Sequence, residues 1–293
     1  MKKKRNQASI PVYVVMLIIS LLCLIPFLLL FTSSLTDEMT LVQNGYSFFP
    51  AKWSLDAYEY LWTSRESIIR AYVISILVTI VGTFLSLAVT TTMGYAISQD
   101  KFRLKKFFTM MVIFSTLFHA GLAPTYIMYS KYLSIKNTFW AMIFPRLLMT
   151  GMNVLIMRSF FINSVPKALS ESARLDGANE FQVFHHVALP MAKPMLATIG
   201  FLNGINYWND WYNSFIYISE SSKLSLQGLL NRIILDIQYM SSSEFAGEMA
   251  SVSVPSVSVR MAIAGIAVIP ILILLPVFQK YLVKGISVGA VKG

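Results

Sequence analysis

Long apolar runs separated by short basic or polar stretches dominate the chain. Crossing a bilayer's hydrocarbon core takes about 20 mostly apolar residues at about 1.5 Å rise each. Six segments are that long: Ile10 to Phe31, Ala71 to Ser98, Phe107 to Ser130, Thr138 to Met157, Met195 to Ile218 and Met261 to Phe278. The first two are free of charge, the third holds His119, the fourth Arg146 and the fifth Asp210, and Pro270 and Pro276 interrupt the sixth. No strand-like alternation supports a barrel, so these spans are expected to be helices.

Composition sharpens this picture. Apolar and aromatic residues make up 56% of the chain and charged ones 13%, against about 25% charged in soluble domains. That excludes a water-soluble globule and a disordered chain. The single Cys23 leaves no disulfide framework and no thiol metal site. A net charge of +10 would suit nucleic acid, but the basic residues lie in clusters between apolar runs. Lys2–Arg5, Lys101–Lys106, Arg158–Lys193 and Lys280–Lys292 all fall on one side of a six-span path, and most acids fall on the other. By the positive-inside bias both termini are cytoplasmic. The first run, longer than a signal peptide's apolar core and without a small-x-small cleavage site, is expected to be a retained span.

Three connections are too long to be turns. External residues 32–70 carry aromatic and proline punctuation (Phe48-Phe49-Pro50, Trp53, Tyr58, Tyr60, Trp62). External residues 219–260 contain Leu226, Leu229, Leu230, Ile233, Ile234 and Ile237 at helical spacing, then a serine-rich loop. That amphipathic helix either lies on the outer interface or forms a lid over an external cavity. Cytoplasmic residues 158–194 hold a helix in which Ser164 is a cap, Pro166 suits the first turn, and Lys167, Glu171 and Arg174 share one face. Asp176-Gly177 ends it, and a second short helix starts at Ala178, sets Phe181, Phe184 and Ala188 on one side, and ends at Pro190. Such a helix–turn–helix either docks a partner or rests on the inner interface.

Glu171-Ser172-Ala173-x-x-Asp176-Gly177-Ala178, followed by Phe184, Leu189-Pro190 and Pro194, resembles the EAA loop of ATP-binding-cassette importer permeases. Ser172 replaces the alanine of the general pattern, small for small. Ser47–Pro50, Gly121–Tyr126, Ile156–Phe161, Trp208-Asn209 and the C-terminal Lys284–Gly293 are similar to stretches of carbohydrate-importer permeases. The resemblance covers nearly the whole chain. It is to the maltose-type second permease subunit, in the oligosaccharide and polysaccharide branch.

That resemblance implies an all-α membrane protein with six transmembrane helices and the type I importer permease fold. Its parts would be a cytoplasmic N-terminus (1–9), a first span (10–31), an external loop (32–70), a transmembrane domain (71–283) and a cytoplasmic tail (284–293). It implies a bacterial plasma (inner) membrane location. It also implies a homologous partner permease, two cytoplasmic ATP-binding subunits, an extracytoplasmic solute-binding protein and a carbohydrate substrate, acidic and alginate-like in one version. Glu171, Ser172, Ala173, Asp176, Gly177, Ala178, Phe181 and Phe184 would meet the ATPase, and Gly289, Val291, Lys292 and Gly293 would reach between its two copies. The chain lacks a phosphate-binding G-x-x-x-x-G-K-[ST] loop. ATP and Mg would therefore belong to partner subunits, and this chain would be a transport subunit without a cofactor, not an enzyme.

Asn206, Tyr207, Trp208, Asn209, Asp210 and Trp211 alternate amides, a carboxylate and rings inside the fifth span. Rings stack on sugar C–H faces, while amides and carboxylates meet hydroxyls. The cluster is either a sugar path or a gate against the partner permease. Arg146 and Arg260 either snorkel or favour an acidic saccharide. His119 is expected to pack mid-span, and His185-His186 lacks zinc-protease spacing. Two alternatives stay open: an ion-coupled carrier working through Asp210 and His119, and a permease of the same family for a non-sugar solute. The topology yields a test. Cysteines at Lys4 and Lys292 should resist impermeant thiol reagents in intact cells, and one at Lys223 should react; labelling of either terminus refutes the six-span path.

Overall fold

A computed structural model describes residues 9–63, 65–242 and 257–290. Among the described residues all regular structure is helical, apart from one antiparallel bridge between Thr36 and Trp53. The chain divides into one unit of 1–68 with 230–269 and another of 69–229 with 270–293.

In the first unit, α1 (Ser9–Ser34) is followed by two short helices, α2 (Glu38–Asn44) and α3 (Asp56–Thr63). The side chains from Val12 to Leu28 are exposed all round α1, as expected of a helix solvated by lipid. Asp37 caps α2 by accepting from the Thr40 amide, and Lys52 pairs with it at 2.8 Å. The lysine holds the Asp37 carboxyl below its ordinary range. Glu38 accepts from the Val257 and Ser258 amides at 2.8 and 2.9 Å and from the Ser258 hydroxyl at 2.7 Å. It thereby closes the N-terminus of the last helix, α14 (Val257–Ala290), where free amides and the helix dipole favour a carboxylate.

The axis of the second unit is α4 (Arg65–Ser98). Small residues recur every three or four positions on its buried face (Ser75, Val78, Gly82, Ser86, Thr90), letting neighbours approach closely. The Tyr207 ring fills the notch at Gly82, where a Cβ would lie 2.6 Å from it. Asn203 donates to Ser86 at 2.9 Å and accepts from Asn153 at 2.8 Å, a polar seam across three helices.

Three described helices are long and apolar enough to cross a membrane: Pro11–Ser34, Arg65–Ser98 and Val257–Pro276. The other three expected spans are each helical with a break. The third is α5 (Lys105–Leu117) and α6 (Leu122–Ile127), bent by 117° and continuing as a π-helical turn to Tyr132. Gly121, at φ +83°, opens the bend, and His119 lies exposed in it, not mid-span. The expected fourth span is a 3₁₀ turn (Phe139–Met142), an irregular segment through Pro145 and Arg146, and α7 (Gly151–Ser164). Pro145 has no amide to continue a helix, and Arg146 adopts φ +66°. The fifth is α11 (Lys193–Trp208), a turn, and α12 (Tyr212–Tyr217). The sixth runs through its prolines within α14, as α1 does through Pro26.

The external helix α13 (Leu226–Ser242) follows the amphipathic pattern. Its start is inserted, not laid on a surface: Leu226 is buried with its amide on the Ser75 hydroxyl at 2.8 Å, and Gly228 lies against Ser214. Most of the expected serine-rich loop lies outside the described residues. At the C-terminus, helix α14 reaches Ala290, so 284–290 is helical rather than a tail. Gly82→Ala should destabilise the protein by about 1–3 kcal/mol through overpacking against Tyr207, read as a lower thermal midpoint. An unchanged midpoint would mean the ring is free to withdraw.

Candidate functional site

Two groups of residues carry the expected chemistry, one in the loop 158–194 and one where the fourth and fifth spans break. In the loop, α8 (Lys167–Leu175) has no buried residue. Pro166 occupies the extended position before it, not its first turn, and Ser164 ends α7 without capping α8. Gly177 stops the helix at φ +87°, a conformation that residues with a Cβ resist. The second helix, α9 (Glu180–Val183), starts later than expected. Asn179 caps it in a reciprocal capping box with Gln182, a signal present in the sequence. The path then continues through a π-helical turn and α10 (Leu189–Met191) into α11, so Pro190 does not end it. Pro190 and Pro194 sit in first turns, where a missing amide costs nothing.

Lys167, Glu171 and Arg174 do share a face, but their fates differ. Lys167 and Arg174 pair within the chain, to Asp100 at 3.0 Å and to Glu180 at 2.8 Å. Glu171 is exposed and has no ion pair among the described residues. Leu169, Leu175 and Phe181 are exposed too, Leu175 at 89% and Phe181 at 73%. Ser172, Asp176 and Gly177 are exposed, and Ala173 and Ala178 half-buried. Ala173, Asp176, Gly177 and Ala178 line a shallow groove of about 320 Å³ with Gln182, His186 and Val187. Phe184 and Phe181 part company: Phe184 packs on Tyr95 at 4.9 Å between ring centres, while Phe181 stacks on His185. Of the C-terminal residues, Gly289 is in α14; Val291, Lys292 and Gly293 lie outside the described residues.

Asp100, Gln99 and Glu180 were not among the residues singled out by sequence. Asp100 is held by Lys105 at 2.8 Å and Lys167 at 3.0 Å, and these lysines pull its carboxyl down to about 2. Arg174 likewise lowers Glu180. Because both acids titrate below their ordinary values, their pairs hold at neutral pH. They are lost only on acidification, for Asp100 through about 2.

At the broken spans, the expected cluster separates into two sets. Tyr207, Trp208 and Asn213 are buried and committed to the fold. Tyr207 donates to the Ile143 carbonyl at 3.1 Å and Asn213 to the Pro145 carbonyl at 3.0 Å. Trp208 stands edge-on to Tyr72 and lines an apolar groove with α4 and Pro270. Asp210 accepts from the Asn213 amide at 3.2 Å, helping to start α12; its other oxygen is buried without a partner. Asn206, Asn209 and Trp211 are exposed. The Arg146 guanidinium lies 4.5 Å over the Tyr212 ring, beside Trp211, whose ring is 5.9 Å from that of Tyr212. No group of three or more metal-ligating side chains occurs among the described residues.

Residues 91–288 match the family described as binding-protein-dependent transport system inner membrane component, and the chain belongs to it. It is a multi-pass inner-membrane permease subunit of an ATP-binding-cassette importer and not an enzyme. The chain is 34% identical over 270 residues to Protein LplC of Bacillus subtilis, covering 92% of this chain and 90% of that protein. It is 31% identical over 286 residues to the polygalacturonan/rhamnogalacturonan transport system permease protein YtcP of the same organism, covering 96% and 97%. A crystal structure of a bacterial ABC transporter involved in the import of the acidic polysaccharide alginate contains a chain of the same fold. It matches at TM-score 0.78 and 28% identity, over 96% of this chain and 98% of that one.

The two sets at the break give opposite expectations. Asn213→Leu strands the Pro145 carbonyl and should destabilise by about 1–3 kcal/mol. Trp211→Ala, at an exposed site, should stay within about 0.5 kcal/mol. Thermal unfolding of the purified protein checks both, and equal losses would show that the Trp211 ring is structural.

Proposed function

We propose that this chain forms one half of the translocation path for a carbohydrate, beside a homologous permease, and takes its power from two cytoplasmic ATPase subunits, one of them docked on α8. The observation that carries this is the solvent-facing helix Lys167–Leu175, with Glu171 unpaired and Leu169, Leu175 and Phe181 bare. A helix with no buried residue and a large apolar end is poorly explained by water alone. A cleft with a basic residue for Glu171 and an apolar wall for Leu175 and Phe181 would cover it. Both termini are then cytoplasmic, on the side of the 99–106 turn that binds α8, and a solute-binding protein delivers substrate from outside. ATP and Mg would be held by the partner subunits.

The relatives' printed substrates support a carbohydrate, and the break supports an acidic one. Arg146 is exposed, held over Tyr212 next to the exposed Trp211, with exposed Asn206 and Asn209 nearby in sequence on the last turn of α11. A guanidinium beside a bare ring suits a uronate: its carboxylate meets the cation and its C–H face meets the indole. An ion-coupled carrier through Asp210 and His119 is not favoured, because these residues belong to two separate breaks and family membership assigns the energy source elsewhere.

The complex purified from its native membrane with its binding protein tests this reading. Oligouronides should stimulate its ATP hydrolysis and be taken up into vesicles. Glu171→Lys should abolish both while the permease still inserts, and Arg146→Gln should lower uptake of oligouronides by about tenfold more than of neutral oligosaccharides. Full transport by Glu171→Lys would refute docking on α8, and equal losses for both sugars would refute the acidic preference.

A further inference from the structure

The docking helix is fastened to more than its flanking chain. Lys167, at its start, reaches Asp100, which also holds Lys105. Arg174, at its end, takes both Glu180 oxygens at 2.8 and 3.1 Å and donates to Gln99 at 3.0 Å. Asp100 and Gln99 belong to the turn that ends α4. The Tyr95 hydroxyl of α4 donates to Glu180 at 3.4 Å, and Arg158 of α7 donates to the Ile97 carbonyl at 3.2 Å. A single exposed ion pair contributes little. Here a doubly held aspartate grips the start of α8, and a forked Arg174–Glu180 contact, tied to α4 through Gln99 and the Tyr95 hydroxyl, grips its end, which fixes the helix's direction as well as its position.

Resting on the docking reading above, we propose that α4 is the rod by which movement of α8 reaches the outer half of the path, and that Asp100, Arg174 and Glu180 are positioning residues that clamp the rod to the docking helix. Helix α4 has 34 residues, about 50 Å at 1.5 Å per residue, enough to cross the membrane without a break. At its middle it holds the Tyr207 ring at Gly82, and beyond that, toward its far end, the Leu226 amide on Ser75. It therefore touches both the broken fifth span and the start of external α13. The flanking spans α5–α6 and α11–α12 are both broken, and a bent or broken element transmits displacement less directly than a continuous one.

The test uses the whole complex in a Cys23→Ser background with Asp100→Cys and Lys167→Cys. Without a linker, binding-protein-stimulated uptake should fall about tenfold, a size typical of a lost coupling, with assembly retained. Joining the two thiols with a short bis-methanethiosulfonate should restore uptake to near the parent, because clamp and helix move together. Normal uptake without the linker, or abolished uptake with it, overturns the proposal. An independent pair keeps the test decisive where the cysteine variant assembles poorly. Arg174→Glu alone should lose uptake, and Arg174→Glu with Glu180→Arg should regain it; equal uptake by the two, high or low, overturns the clamp. The parent complex separates the two ideas. A parent without ATP-driven uptake refutes the docking reading itself, whereas a normal parent with insensitive variants refutes only the clamp.

Discussion

A bilayer offers no water to unpaired backbone groups, so irregular chain at membrane depth survives only where the protein supplies the missing partners. Everything unusual in this molecule follows from that constraint. The fourth span is broken at Pro145 and Arg146, and the freed carbonyls of Ile143 and Pro145 are met by Tyr207 and Asn213 of the fifth. The fifth is broken in turn, and Asp210 closes the start of α12. Each break is tolerable because the other is there. Two interrupted segments thus form one interlocked region, and Asn206, Asn209, Trp211 and Arg146 remain exposed beside it.

The exposed loop around α8 obeys a different rule. There water is plentiful, so position is set by charge and by turn chemistry. Gly177 provides the reversal, Asn179 and Gln182 restart the helix, and the Lys167–Asp100 pair with the Arg174–Gln99 and Tyr95–Glu180 hydrogen bonds binds the loop to the end of α4. Lys167 and Arg174 hold the turn that ends α4, while Leu169 and Leu175 stay bare, a division suited to an element that holds one surface and offers another.

Much of this was legible in the sequence. The continuous helices α1, α4 and α14 were visible because unbroken apolarity of that length has few other solutions, and the α8 turn because Asp-Gly after a small-residue helix is a strong local stop. The breaks were not. Counting apolar residues registers Pro145 as harmless and reads Asp210 as a buried charge, whereas its neighbours use it to start a helix. Tyr207 and Trp208 looked like ligand rings because composition cannot tell which way a ring turns; a notch at Gly82, 125 positions earlier, decides it for Tyr207. The Asp100–Lys167 and Tyr95–Glu180 contacts join positions 67 and 85 residues apart. No local period encodes such pairs.

The Glu38 contact with α14 has a consequence for how the chain is made. Its partners Val257 and Ser258 lie 219 and 220 residues further on. At synthesis rates of about 5–20 residues per second, roughly 10–40 s pass between their appearances. The segment that bears Glu38 must therefore wait while nearly all the remaining chain is made. The last helix arrives to a partner already in place. A chain truncated before residue 257 would leave Glu38 without the amides it closes.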